Sequence, residues 1–134
     1  MEIKCRTISK GTATGKVLLS KDPISFLGGV DPETGIVMEE GHSIQGKCIA
    51  DTVLVFPRGK GSTVGSYVML QLAKNKKAPS AIVNVEAEPI ISVGAIISKI
   101  PMVDKPETDL YKILTDGMTV EVNGNEGTVT IQED

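Results

Sequence analysis

The stretch Phe56-Pro57-Arg58-Gly59-Lys60-Gly61-Ser62-Thr63-Val64-Gly65 constrains this chain more than any other. It follows Thr52-Val53-Leu54-Val55-Phe56, an apolar β-branched run that reads as a buried strand, and it opens a helix expected from Ser62 to about Lys74. Strand, glycine-rich turn and helix in that order make an anion-binding layout. Gly59 and Gly61 let the backbone approach a ligand, Arg58 and Lys60 supply positive charge, and Ser62 is placed where unpaired helix N–H groups point outward. A second apolar run, Ala81-Ile82-Val83-Asn84-Val85, completes a βαβ unit, and ligands of such units gather beyond the carboxyl ends of the parallel strands.

The rest of the chain supplies a sheet around that unit. Glu2 to Ile8 predicts a first strand and Lys16 to Ser20 a second, joined by a loop of small residues, Gly11-Thr12-Ala13-Thr14-Gly15. Pro23, Gly28, Gly29, Pro32 and Gly35 exclude a regular element between Asp22 and Gly35, and Ile36-Val37-Met38 reads as a short strand. On the helix after Ser62, Val64, Val68 and Leu72 fall on one line while Ser66 and Gln71 face away; Lys74-Asn75-Lys76-Lys77 and Pro79 end it at a solvated basic terminus. Pro89 predicts a buried helix over the apolar run to Ile97, and Thr108 to Leu114 a small amphipathic one. Met118 to Val122 and Gly127 to Ile131 alternate around Asn123-Gly124, a hairpin signal. The sum is one α/β domain over residues 1–134, with a closed or barrel-like mixed sheet and a βαβ insert.

Charge and composition exclude several functions. Fourteen basic against 17 acidic residues, spread evenly, leave no basic stripe for a phosphate backbone, and two Phe, two Tyr and no Trp leave little to stack on bases; nucleic acid is not an expected partner. No apolar run approaches the roughly 18 residues that span a bilayer, and the N-terminus lacks a signal core, so a cytoplasmic location without membrane insertion is expected. Cys5 and Cys48 are too few and too far apart for a metal cluster and read as small core residues.

Gly41-His42-Ser43-Ile44-Gln45-Gly46-Lys47-Cys48 approaches a phosphate-binding P-loop, but acidic Glu39-Glu40 stand where the preceding strand belongs and no helix follows. His42, the sole histidine, reads as structural. Ser62 has two readings from the residues alone, a helix N-cap or a proton acceptor; Arg58 and Lys60 are either exposed cations or ligands for an anion, with the planar fork of Arg58 suited to a carboxylate or phosphate.

Taken together, Ser25-Phe26-Leu27-Gly28-Gly29-Val30-Asp31-Pro32-Glu33-Thr34-Gly35, the loop from Gly41 to Gly46, Gly59-Lys60-Gly61-Ser62 and Ala87-Glu88-Pro89-Ile90 resemble the small subunit of the aconitase X family over nearly the whole chain. The resemblance implies a swivelling β/β/α domain that closes over a large subunit carrying a 4Fe-4S cluster. The implied heterodimer is a hydro-lyase converting a phosphorylated hydroxy acid, 5-phosphomevalonate, to trans-anhydromevalonate 5-phosphate on an archaeal-type mevalonate route to isoprenoids. The family's serine base falls on Ser62, with Arg58, Lys60 and Gly61 as substrate contacts and no metal ligand in this chain. Dehydration of a hydroxyproline is the other substrate reading within the family, and a non-catalytic anion-binding swivel module is the alternative outside enzymes.

Overall fold

The structure, a computed structural model, describes residues 1–132. One eight-stranded mixed sheet organises them: β1 (Glu2–Lys4), β2 (Arg6–Ser9), β3 (Thr12–Leu19), β4 (Thr52–Phe56), β5 (Ala81–Asn84), β6 (Met102–Asp104), β7 (Thr119–Asn123) and β8 (Thr128–Ile131). Their spatial order is β1-β8-β7-β3-β4-β5-β6-β2. The four central strands β3 to β6 are parallel neighbours, flanked by antiparallel pairs.

Strands buried on both faces carry apolar residues at every position, which is why β4 and β5 read as continuous runs. Alternate side chains feed two cores. Leu18, Leu54, Phe56, Ile82 and Met102 pack with the helices, while Val17, Val53, Val55, Val83 and Val103 join Ile3, Val120, Val122 and Val129 on the opposite face. Each such side chain contributes on the order of 1.5–3 kcal/mol by leaving water.

The first nine residues close the sheet. β1 pairs with β8 and β2 with β6, so the two strands at the ends of the order are consecutive in the chain, joined only by Cys5, whose N–H donates to Gly127 O at 2.7 Å. Arg6 clamps the second seam with a bidentate pair to the buried carboxylate of Asp104 (2.9 and 2.8 Å), which also accepts from Ala87 N at 2.7 Å. A barrel-like sheet results.

Three helical segments cover one face: α1 (Phe26–Gly29), a single turn whose Leu27 and Gly28 are not helical, α2 (Gly65–Lys74) and α3 (Pro89–Ile97). The strand β4, helix α2 and strand β5 form the expected βαβ unit, in register from Val53↔Ala81 to Phe56↔Asn84. Glu88 caps α3 by accepting from Ile91 N (2.7 Å) and Ile90 N (2.9 Å), with Pro89 at the first helical position.

Several local expectations are corrected. Thr12 to Gly15 is strand, paired with β7, because cross-strand hydrogen bonding outweighs the loop-like composition. Residues 36–38 make only isolated bridges to Cys48 and Val30. The segment after Thr108 is a 3₁₀ turn, Leu110–Lys112, opened by the side chain of Asp109. Ser66 is buried, since its hydroxyl donates to Ile90 O at 2.6 Å and joins α2 to α3. The helix α3 is apolar but only partly covered: Ile91, Gly94 and Ala95 are buried, whereas Val93, Ile96 and Ile97 face outward. The hairpin between β7 and β8 forms, with Asn123 Oδ1 accepting from the amides of Asn125 and Glu126 across its loop.

Candidate active site

The turn of residues 57–64 leaves the carboxyl end of β4 and is held from below rather than by the helix that follows. Gly59 pairs with Ile24 through Arg58 O and the Lys60 amide (3.2 and 3.1 Å). A Cβ at Gly59 would collide with Ile91 and Glu88, so α3 can press against the turn only where a glycine stands. Gly61, at φ +90°, lies over the Ser25 side chain, and Ser25 Oγ donates to Leu27 O at 3.1 Å. Ile24 and Ser25, at the head of the segment that contains Gly28 and Gly29, are therefore the floor of the turn. The inclusion of Ser25 among the residues that carry the family resemblance was the one sequence signal of that role.

Ser62 is exposed, and its position differs from expectation. The helix begins at Gly65 with Val64 at the capping position, so Ser62 is neither cap nor first helical residue. Instead Ser62 Oγ accepts from Val64 N at 3.1 Å, and Ser62 O from Gly65 N at 3.0 Å, forming a tight turn before the helix. Early Ser and Thr residues mimic a cap in sequence because both arrangements put an oxygen near the same amides. Among the described residues the amides of Gly61, Ser62 and Thr63 have no hydrogen-bond partner.

The two cations of the turn differ. Arg58 is exposed and makes no ion pair among the described residues, while Lys60 Nζ lies 3.0 Å from Glu39 Oε2. Glu39 arrives from a loop 21 residues earlier, a neighbour that no local sequence pattern reports.

His42 stands apart from this turn. It is buried, Nε2 donates to Pro23 O at 2.9 Å and Nδ1 accepts from Ile44 N at 3.2 Å, so neither ring nitrogen is free for a substrate. Nearby, the Asp22 carboxyl is held below its usual range, chiefly by accepting from Ser43 N at 2.9 Å. These contacts shape the loop of residues 41–46 without strand or helix around it.

An iron–sulfur cluster does not fit the donor set of this chain. No group of three His, Cys, Asp or Glu among the described residues could hold a metal ion. Burial, with Glu107 and Asp104 adding to it, pushes the Cys5 thiol up to about 12, the opposite of what a thiolate ligand needs. Cys48, expected in the core, is exposed, and its thiol donates to Thr34 O at 3.3 Å. No helix among the described residues is long and apolar enough to cross a membrane.

Chemically, the turn presents an oxygen that already accepts one N–H, three free amides and a free guanidinium. That set can bind an anion, and the Val64 amide, which donates to Ser62 Oγ, favours negative charge on that oxygen.

The sequence profile of the aconitase X swivel domain matches residues 2–131. The chain is 64% identical over 131 residues to a Methanosarcina mazei protein named phosphomevalonate dehydratase small subunit, covering 98% of this chain and 91% of that protein. A protein of the same name from Thermococcus kodakarensis is 57% identical over 134 residues, covering 100% and 98%. Among solved structures, the holo form of Thermococcus kodakaraensis aconitase X superposes with a TM-score of 0.94 at 54% identity, over 99% of each chain.

Proposed function

The chain belongs to the aconitase X swivel-domain family, and from that premise we propose that it is the small subunit of a phosphomevalonate dehydratase. The enzyme is a hydro-lyase that converts (R)-5-phosphomevalonate to trans-anhydromevalonate 5-phosphate in a mevalonate route. Residues 1–134 act as one swivel domain, cytoplasmic and paired with a large subunit that carries the iron–sulfur cluster.

The observation that carries the site assignment is the exposed Ser62 hydroxyl on a turn whose Gly61, Ser62 and Thr63 amides have no partner among the described residues. In this reading Ser62 Oγ accepts the proton from the carbon beside the substrate carboxylate. Arg58 and the Gly61 amide hold an anionic end of the substrate, and Lys60 adds positive charge. A serine hydroxyl is a weak base, and a helix N-terminus lowers its pKa by at most about 1.5 units, equivalent to about 2 kcal/mol. Since α2 starts three residues after Ser62, its share is smaller still. The amides, Arg58 and exclusion of water on closure have to supply the rest.

The test is Ser62→Ala in the assembled enzyme. A structural hydroxyl lost from this turn lowers stability by about 1 kcal/mol. A lost base lowers turnover by at least about 10²-fold and abolishes exchange of the substrate's α-proton with solvent. We expect the second result in a complex that still assembles and keeps its cluster. Normal exchange there would remove Ser62 from the chemistry.

A further inference from the structure

Ala81, Ile82 and Val83 of β5 are apolar and buried, and the strand ends on an asparagine that is buried as deeply. Asn84 is 1% exposed and lies two residues after Ile82, on the face of β5 that meets the helices together with Leu54 and Phe56 of β4. Its Nδ2 donates to Phe56 O at 3.1 Å, while Oδ1 is buried with no hydrogen-bond partner among the described residues. A buried amide that pairs only half of its capacity weakens a fold, and an aliphatic side chain of the same size would pack there without leaving an acceptor unpaired. Stability therefore gives no reason for an asparagine at this place; its contact with Phe56 does.

On the functional reading of the turn given above, we infer that Asn84 is a positioning residue, which aims the turn of residues 57–64 by holding the last carbonyl of β4. Successive carbonyls at the root of that turn are all held. Phe56 O accepts from Asn84 Nδ2, Pro57 O from Val85 N and Glu86 N (3.1 and 3.2 Å), and Arg58 O from Ile24 N at 3.2 Å. The contacts to Pro57 and Arg58 come from backbone amides that most residues could supply, whereas the contact to Phe56 needs a side chain with an N–H. Pro57 has no N–H of its own and a fixed φ, so the planar peptide between Phe56 and Pro57, which Asn84 grips by its oxygen, sets the direction in which Arg58 leaves the strand. Gly59, Lys60, Gly61 and Ser62 follow from that direction. Proton transfer at Ser62 demands heavy-atom separations of about 2.6–3.2 Å, so a turn shifted at its root loses chemistry before it loses substrate. Asn84 acts through the turn and touches no reacting atom.

The test compares Asn84→Leu, which keeps the volume and removes the donor, with Val83→Ala, one residue earlier on β5 and directed into the opposite core. Both are read in the assembled enzyme, with turnover measured well below Tm. Asn84→Leu is expected to lower kcat and exchange of the substrate's α-proton together by at least about tenfold, with KM changed less than about threefold. Val83→Ala is expected to lower Tm as much or more, by leaving a cavity, and to keep the wild-type kcat. Hydrogen exchange in the full chain gives a readout that needs no substrate. The amides of Ile24 and Lys60 tie the turn to the preceding loop, and relative to the Leu54 amide they should exchange about three- to tenfold faster in Asn84→Leu and no faster in Val83→Ala. Asn84→Ala, which cannot overpack, takes the place of the leucine variant should that one fail to fold. Wild-type kcat in a folded Asn84 variant would overturn the inference. So would a fall in kcat that Val83→Ala matches at equal loss of Tm, since Asn84 would then serve stability alone. Faster exchange at Ile24 and Lys60, in a chain whose wild-type complex does not dehydrate phosphomevalonate, would overturn the substrate reading and leave Asn84 as the residue that aims the turn.

Discussion

The ammonium of Lys60 is paired with Glu39 at 3.0 Å, whereas Arg58, two residues earlier on the same turn, has no acidic partner among the described residues. The turn therefore offers one free cation and one masked by a carboxylate that a bound anion must compete with. An exposed pair of this kind is worth about 0.2–1 kcal/mol. Glu39→Gln should unmask Lys60 and lower the KM for the phosphorylated substrate by about threefold at low salt, with the gain fading as salt screens it. Lys60→Met should raise KM. Steady-state kinetics at two ionic strengths decide this; if Glu39→Gln raises KM as Lys60→Met does, the carboxylate positions the ammonium rather than masking it.

Arg58 is expected to grip an anionic end of the substrate with both arms of its guanidinium. Arg58→Lys keeps the charge and loses the planar fork, so kcat/KM should fall by about 1.5–3 kcal/mol, the range for hydrogen bonds to charged groups. A lysine variant with wild-type kcat/KM would leave Arg58 a surface cation.

Gly59 has no room for a side chain, because α3 brings Ile91 and Glu88 against it. Gly59→Ala should cost about 1–3 kcal/mol of stability by overpacking. It should also push the turn off the α3 N-terminus, so activity should fall further than Tm alone accounts for. Thermal melts paired with kinetics measure both, and an unaltered Tm would show that α3 yields easily.

The two thiols should separate in alkylation. With its pKa near 12, Cys5 carries a thiolate fraction of about 10⁻⁴ at pH 8, and its burial slows it further. Cys48 is exposed. Brief iodoacetamide treatment of the native chain at pH 8, followed by peptide mass spectrometry, should label Cys48 alone. The same purified chain should contain no stoichiometric iron. Equal labelling would mean that the Cys5 strand junction opens readily.

Much of the fold is legible along the chain because its signals are local. The apolar runs of β4 and β5, the alternation on either side of Asn123, and Pro89 behind Glu88 each report burial or backbone preference of one segment at a time. The same holds for the βαβ unit and for the glycine-rich turn at the carboxyl end of β4. Recognition of the family likewise needed only the order of residues.

What the tertiary structure decided is how separate segments meet. Thr12 to Gly15 has the composition of a loop and becomes strand because β7 offers its backbone groups partners. The pairing of Lys60 with Glu39 and the floor that Ser25 makes under Gly61 depend on loop paths that periodicity does not encode. An all-apolar helix predicts burial, yet α3 leaves Val93 and Ile97 uncovered, since hydrophobicity fixes only that a face seeks a partner and not that the partner lies in the same chain. Ser62 shows the limit at single-residue scale. Its sequence context fits a helix cap, and only the start of α2 at Gly65 separates that role from an exposed hydroxyl on a turn.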